Sequence, residues 1–373
     1  MAIFSKQALF LGDKLMKFLH IADVHLGSKM ESRLPSQKAT ERRTELLLAF
    51  SSAVEFAKKN AVDAILISGD LFDSDRPFKK DKEFFFGIVG SNPAITFYYL
   101  HGNHDIKESF VADNLDNLKL FTDKWTSYRH GDTVISGIEL TAGNEDSLYT
   151  TLNLNRSEKN IVMLHGDAFE GAPVGSDKID LRRLKGKGID YLALGHIHSF
   201  SIGKLDERGI YAYPGCLEGR GFDECGEKGF LFVDTEASKD NVRFIKNSIR
   251  EIKEISVDVS EAKNSYDVYS IVKNTVNTPK SNLLRINLVG NLQFSGEKPA
   301  EAVEKFLADS FYFISVKDKT KVSLDLSALE GELSLRGEFL RLVSSSSLSD
   351  EDKREIITLG LIALSGEEIE VED

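Results

Sequence analysis

Five short motifs hold most of the reactive side chains of this chain. In order they are Asp23-Val24-His25, Gly69-Asp70, Gly102-Asn103-His104-Asp105, His165-Gly166-Asp167 and Gly195-His196-Ile197-His198, and together they contain five of its eight histidines. Carboxylates, one side-chain amide and several imidazoles, with no cysteine among them, form an oxygen and nitrogen donor set. Such a set suits Mn²⁺ or Fe²⁺, and Zn²⁺ as well. Two divalent ions held ~3.5–4 Å apart polarise a phosphoryl group and lower the pKa of a water molecule, so the inventory names phosphoester hydrolysis as the reaction class.

Each motif has its own logic. Alternate residues of an extended segment point the same way, so Asp23 and His25 can serve one ion, and so can His196 and His198. Gly69 permits a tight turn that exposes the Asp70 carboxylate, the best-placed candidate to bridge two ions. Asn103 offers a neutral amide oxygen and His165 an imidazole. With Asn103 as the ligand, His104 stands beside the ions and can protonate a leaving alkoxide near neutral pH. Asp73 is expected to hydrogen-bond His104, its other reading being an acid at a helix start. Asp105 and Asp167 could orient ligands, with surface acids as the alternative. Of the other histidines, His20 reads as packed, His130 as a turn residue and His101 as a neighbour of the ligands.

These motifs need a scaffold that brings them together. Short apolar runs at 18–22, 64–68, 95–100, 161–164 and 191–194 read as strands covered on both faces. A helical pattern spans about 40–60, with Leu46, Phe50, Val54 and Ala57 on one face, and 81–89 is a second helix. Alternating strands and helices imply a layered α/β domain. Every motif begins where a strand stops, which is where open α/β sheets place ligands. Further strands are expected at 209–213 and 229–233. Composition changes near 235–250, and a β-α-β-α-β pattern follows: strand 251–259, helix 266–276, strand 283–289, helix 300–307, strand 311–316. Then come a segment at 322–326, a helix at 336–343, a serine linker at 344–347 and a helix from about 350 to 364, with Ser349 as N-cap.

With 373 residues, 41% hydrophobic and 28% charged, the chain is an ordinary globular composition with room for two or three cores. A net charge of −12 argues against coating nucleic acid by bulk charge, though not against a DNA enzyme with a local basic rim. Lys29, Arg33, Lys38, Arg42 and Arg43 after the first motif are candidate phosphate contacts. Two cysteines, Cys216 and Cys225, make no disulfide framework, and a reducing cytoplasm is expected. No apolar stretch approaches the ~20 residues of a membrane helix. The acidic finish 367–373 reads as a solvated tail, and Met16 just before the first strand suggests that 1–15 is an extension or a misassigned start.

The ordered set Asp-x-His, Gly-Asp-x-x-Asp, Gly-Asn-His-Asp, His and Gly-His-x-His resembles the calcineurin-like metallophosphoesterases. The surroundings are similar to SbcD-type DNA repair exonucleases of the YhaO-like branch. These are Lys17-Phe18-Leu19-His20-Ile21-Ala22-Asp23-Val24-His25-Leu26-Gly27, Gly69-Asp70-Leu71-Phe72-Asp73, Tyr213-Pro214-Gly215-Cys216-Leu217-Glu218 before Lys228-Gly229-Phe230, and Leu335-Arg336-Gly337-Glu338-Phe339. The resemblance implies a layered β-sandwich flanked by helices, with a small α/β capping domain and a short helical C-terminal segment. The expected boundaries are 1–15 for the extension, 16–236 for the phosphoesterase domain, 249–320 for the DNA-contacting cap and 321–373 for a partner-binding segment.

The resemblance further implies two divalent ions, most simply Mn²⁺. Asp23, His25, Asp70 and His198 would hold the first, and Asp70, Asn103, His165 and His196 the second, with His104 catalytic. Relatives often carry histidine where this chain has Asp73, so that role does not transfer, and Cys216 stands where serine is expected. A two-metal DNA exonuclease or endonuclease in DNA repair or recombination is the leading expectation, with an SMC-like (SbcC-type) ATPase as partner and a homodimer as a further assembly. Alternatives are a phosphodiesterase or phosphatase acting on a small nucleotide or a phosphoprotein, or a scaffold that tethers DNA ends.

Overall fold

The computed structural model describes residues 16–30, 34–74, 76–105, 115–171, 177–235, 241–292, 299–322 and 333–365. The expected extension 1–15, Arg33, most of the 322–326 segment and the acidic finish lie outside the described residues. The chain forms two compact units, one of Met1–Lys253 with Ser281–Leu283 and one of Glu254–Lys280 with Leu284–Asp373.

Two six-stranded sheets make up the first unit. In spatial order the first sheet runs Val242–Lys246, Gly229–Asp234, Lys17–Ile21, Ala64–Ser68, Thr96–Leu100, Leu118–Leu120. The second runs Ser201–Lys204, Ile210–Tyr213, Tyr191–Gly195, Lys159–His165, Thr133–Gly137, Thr126–His130. The second sheet has a parallel centre with an antiparallel strand at each margin. In the first the antiparallel pairing is confined to one margin, and the other edge strand, Leu118–Leu120, is parallel to its neighbour.

Successive side chains of a strand point to opposite faces, and the apolar runs supply both. Phe18, Leu66, Tyr98, Met163 and Ala193 fill the space between the sheets. Leu19, Ile21, Ile65 and Ile67 turn outward beneath the helices Ser36–Lys59 and Lys79–Ser91. On the far side Val162, Leu164, Leu192 and Leu194 pack with Leu148, Leu181 and Leu184 of two short helices. The result is a helix–sheet–sheet–helix layering, the sandwich flanked by helices that the sequence leads one to expect. The strand Val242–Lys246 lies past the compositional boundary at 236 and pairs with Gly229–Asp234 at the margin of the first sheet.

The second unit contains a three-stranded sheet, ordered Ile252–Asp258, Leu283–Val289, Phe313–Asp318, and the helices Ser265–Thr275 and Pro299–Leu307. Val257, Val268, Leu284, Leu288 and Val303 lie in its core. Helices Leu335–Ser344 and Asp350–Ser365 follow, packed through Leu340, Ile357 and Leu361. Ser349 caps the last one by accepting the Asp352 N–H at 3.1 Å. Among the described residues no helix is long and apolar enough to cross a membrane.

Candidate metal centre

All five motifs sit in the loops at the C-terminal ends of parallel strands of the two sheets. The loops after Lys17–Ile21 and Ala64–Ser68 continue the pairing of their strands: the Asp23, His25 and Leu26 N–H groups donate to the Gly69, Asp70 and Leu71 carbonyls at 3.1, 3.0 and 2.8 Å. That continuation holds the first two motifs side by side. Asp105 ties the third to them, accepting the Leu71, Phe72 and Gly102 N–H groups at 3.1, 2.8 and 3.0 Å. In the second sheet, the Gly166 N–H donates to the Gly195 carbonyl at 3.1 Å, continuing the pairing of two neighbouring strands.

The chain is bent hard to achieve this. Asp23, His25, Asp70 and His196 have φ of 50°, 51°, 49° and 102°, the left-handed region that L-residues avoid at roughly 1–3 kcal/mol each. Space is equally scarce. A Cβ on Gly102 would stand 2.1 Å from Asp70 Oδ1, and one on Gly195 would stand 1.8 Å from the Ser68 carbonyl oxygen. Glycine is therefore the residue that fits before Asn103 and before His196.

Donor atoms converge as a result. His25 Nε2 and His198 Nε2 are 3.2 Å apart, and Asp23 Oδ1 is 3.8 Å from His198 Nε2. Asn103 Oδ1 lies 2.9 Å from His165 Nε2 and 3.3 Å from His196 Nδ1. Asp70 Oδ2 faces both groups, 3.4 Å from His165 Nε2 and 4.0 Å from His25 Nε2. Ligand atoms of Asp23, His25 and His198 lie within 4.8 Å of one another, and so do those of Asp23, Asp70 and His165. Two of the imidazoles are fixed from their far sides. His25 Nδ1 makes an ion-pair contact with Asp73 Oδ1 at 3.3 Å without a hydrogen bond, while His165 Nδ1 is hydrogen-bonded to the Ser68 carbonyl at 2.9 Å and His198 Nδ1 to Glu224 Oε1 at 2.7 Å. A nitrogen hydrogen-bonded in this way leaves the opposite one as a metal ligand.

The electrostatics favour a cation at the centre. Burial pushes the Asp23 carboxyl up, against the pull of His165 and His198. Burial acts the same way on Asp70, but the hydrogen bond and charge of His165 hold it below the usual carboxylate range. Burial would lower His165, yet Asp70 raises it to about 9. A field that holds a proton this firmly in a buried pocket also attracts a metal ion, and a set of four imidazoles, an amide and two carboxylates fits two divalent ions.

Every residue expected to be a ligand is thus in one cluster. His104 is at its exposed rim, its ring centroid 5.2 Å from that of His25 and its N–H donating to Asp70 Oδ1 at 2.9 Å. Three expectations differ from the structure. Asp73 turns to His25 and to Arg220, 2.7 Å from Nη1, and the expected hydrogen bond to His104 is not among its contacts. Arg42 is fully buried, bonded to Glu45, Glu218 and the Gly219 carbonyl, so it cannot reach a phosphate. Its place on the stripe Ala39, Arg42, Leu46, Ala49 was the signal that it faces inward. Asp167 pairs with Lys178 at 2.7 Å rather than with a ligand. His101 bonds Glu139 at 2.5 Å, His20 is buried against the Tyr191 hydroxyl, and His130 contacts the Tyr98 hydroxyl. Sequence reasoning missed Arg220, Glu224 and Lys228, whose Nζ donates to the His198 carbonyl at 2.7 Å.

The chain matches the calcineurin-like phosphoesterase family over residues 16–200. Residues 16–200 are a calcineurin-like phosphoesterase domain. Among curated relatives, the DNA double-strand break repair protein Mre11 of Aeropyrum pernix is 28% identical over 276 residues, covering 67% of this chain and 66% of that protein. The metallophosphoesterase YhaO of Bacillus subtilis, itself uncharacterized, is 27% identical over 282 residues, covering 70% and 67%. The chain therefore spans just under two thirds of the length of the archaeal relative. A solved dimetal phosphatase from Danio rerio aligns with a TM-score of 0.41 at 11% identity, over 59% of this chain and 92% of that one, a likeness too remote to inform the chemistry.

Proposed function

We propose that this protein is a two-metal DNA nuclease, exonuclease or endonuclease, that hydrolyses phosphodiester bonds during DNA repair or recombination in the cytoplasm, acting with an SMC-like ATPase. The observation that carries the reading is the convergence of seven donor side chains on one pocket, with Asp70 Oδ2 facing both groups. Asp23, His25, Asp70 and His198 would hold one ion, and Asp70, Asn103, His165 and His196 the other. When bound, the ions, most simply Mn²⁺, would polarise the phosphoryl group and supply a nucleophile from water at neutral pH.

The protein's own residues do the rest. His104 is free of the ligand cluster, exposed, and held at the rim through its N–H bond to Asp70. From there its imidazole can hand a proton to the leaving oxygen, a contribution of roughly 10²–10⁴-fold. Asp105 keeps the Asp70 and Asn103 loops in register. The relation to a repair protein and the presence of a second unit beyond the phosphoesterase domain support DNA over a small phosphoester.

The test is digestion of end-labelled DNA with Mn²⁺, beside a chromogenic phosphodiester and cyclic nucleotides. DNA ends should be degraded, and His104→Ala should abolish this while both ions still bind. Rapid cleavage of the small substrates by a wild-type protein inert on DNA would move the assignment to a nucleotide phosphodiesterase. DNA-end tethering that survives loss of the metal ligands, with no cleavage, would make it a scaffold.

A further inference from the structure

The loop between Tyr213 and Gly229 contributes no donor to the pocket, yet it lies directly behind one half of it. Glu224 is buried and accepts the His198 Nδ1–H at 2.7 Å. Arg220 donates to Glu224 Oε1 from Nε at 3.0 Å and from Nη2 at 2.7 Å, and to Asp73 Oδ1 from Nη1 at 2.7 Å. The same Asp73 oxygen is 3.3 Å from His25 Nδ1. One guanidinium therefore stands behind both imidazoles of the Asp23, His25 and His198 group. We infer that Arg220 and Glu224 are positioning residues for that seat: Glu224 fixes the tautomer and aim of His198, and Arg220 locks Glu224 and Asp73 into one frame that also aims His25. This rests on the two-metal reading above.

The geometry separates this role from the obvious one for an arginine near a phosphate site. A phosphate clamp presents a free fork. Here Nε, Nη1 and Nη2 each donate to a carboxylate, so the charge is spent inward. Nor is the pair a surface ornament, because the loop is pinned along its length. Glu218 accepts the Ile249 N–H at 2.6 Å and an Arg42 Nη2–H at 2.9 Å. The Gly226 N–H donates to the Ile252 carbonyl at 2.9 Å, and the Gly229 N–H to the Cys216 carbonyl at 3.1 Å. Cys216 Sγ fills the space 3.7 Å from both the His198 carbonyl and Glu224 Oε2. Burial pushes its thiol up, so it is a packing group and not a thiolate. The second seat, with His165 bonded to the Ser68 carbonyl and His196 beside Asn103, takes nothing from this loop.

That asymmetry makes the inference testable without turnover. Mn²⁺ binding to the full-length chain, freed of metal and titrated by calorimetry with spin resonance for free ion, should show two ions per wild-type chain. In Arg220→Gln and Glu224→Ala one of them should weaken by roughly 10–100-fold, as loss of a partner behind a ligand does, while the other binds as before. Glu224→Gln keeps an acceptor for the His198 N–H and should recover part of the loss. Retention of the second ion, with a metal-free melting temperature like the wild type's, shows that the variants are folded. Two ions bound at wild-type affinity by Arg220→Gln and Glu224→Ala, or equal weakening of both ions, would overturn the role. A wild-type chain that binds no pair of divalent ions would instead sink the two-metal reading itself.

Discussion

The two units of this chain obey different rules. Among the described residues, the second unit has one buried polar side chain, Asn287, and no residue other than glycine with positive φ. Its core of Val257, Val268, Leu284, Leu288 and Val303 is apolar throughout. The first unit buries Asp23, His25, Asp70, Asp105, His165, Arg42, Glu218 and Glu224, and holds every described non-glycine residue of positive φ. Buried charge and strained backbone both cost stability, and four of the six described strained non-glycine residues, Asp23, His25, Asp70 and His196, lie in the candidate metal centre. One unit is packed for stability; the other tolerates unfavourable local terms because its sandwich core is large enough to hold them.

Three substitutions would sharpen or break this contrast, in descending order of effect. Asp70→Asn removes the charge of the carboxylate that faces both donor groups. Loss of several kcal/mol of transition-state stabilisation, roughly 10³-fold in kcat/KM on a phosphodiester, is expected, and a variant within tenfold of wild type would refute the bridging position. Leu288→Ala leaves a cavity in the second unit. It should lower that unit's unfolding free energy by about 2–5 kcal/mol in a denaturant titration while hydrolysis of a small phosphodiester stays unchanged; an equal loss of both would mean the contrast is not local.

The smallest effect concerns pH. Burial lowers His20 from 6.5 to about 3. The unfolded chain therefore takes up a proton that the folded chain refuses, and stability is present above pH 6.5 and lost as pH falls towards 3. The folding constant should drop about tenfold per pH unit in that window. His20→Gln, compared with wild type in chelator at pH 7 and pH 5, should remove that share of the slope, and parallel slopes would show that His20 is not the group responsible.

Legibility followed the same divide. Strands and helices with strong periodicity were readable, among them Ala64–Ser68 and Leu283–Val289 with both ends correct. Thr126–His130 and Ser201–Lys204 were not, because these marginal strands are polar and half exposed and carry no hydrophobic alternation. The convergence of the candidate ligands was legible because each motif joins rare residue types at the end of an apolar run. Arg220 and Glu224 were not, since in sequence they look like any surface charges. Their meaning comes from partners 147 and 26 residues away, Asp73 and His198, and separations of that kind leave no local pattern. Arg42 shows the opposite failure: a charged residue read for its charge when its place on the helix stripe was the better guide.

The backbone bends at Asp23, His25, Asp70 and His196 have a consequence for how this sequence can vary. At each of these positions glycine would relax the chain by about 1 kcal/mol or more. Sorting variants by heat resistance alone would therefore enrich glycine at four of the seven candidate donor positions. On the two-metal reading proposed above, durability and turnover select in opposite directions at the same four residues.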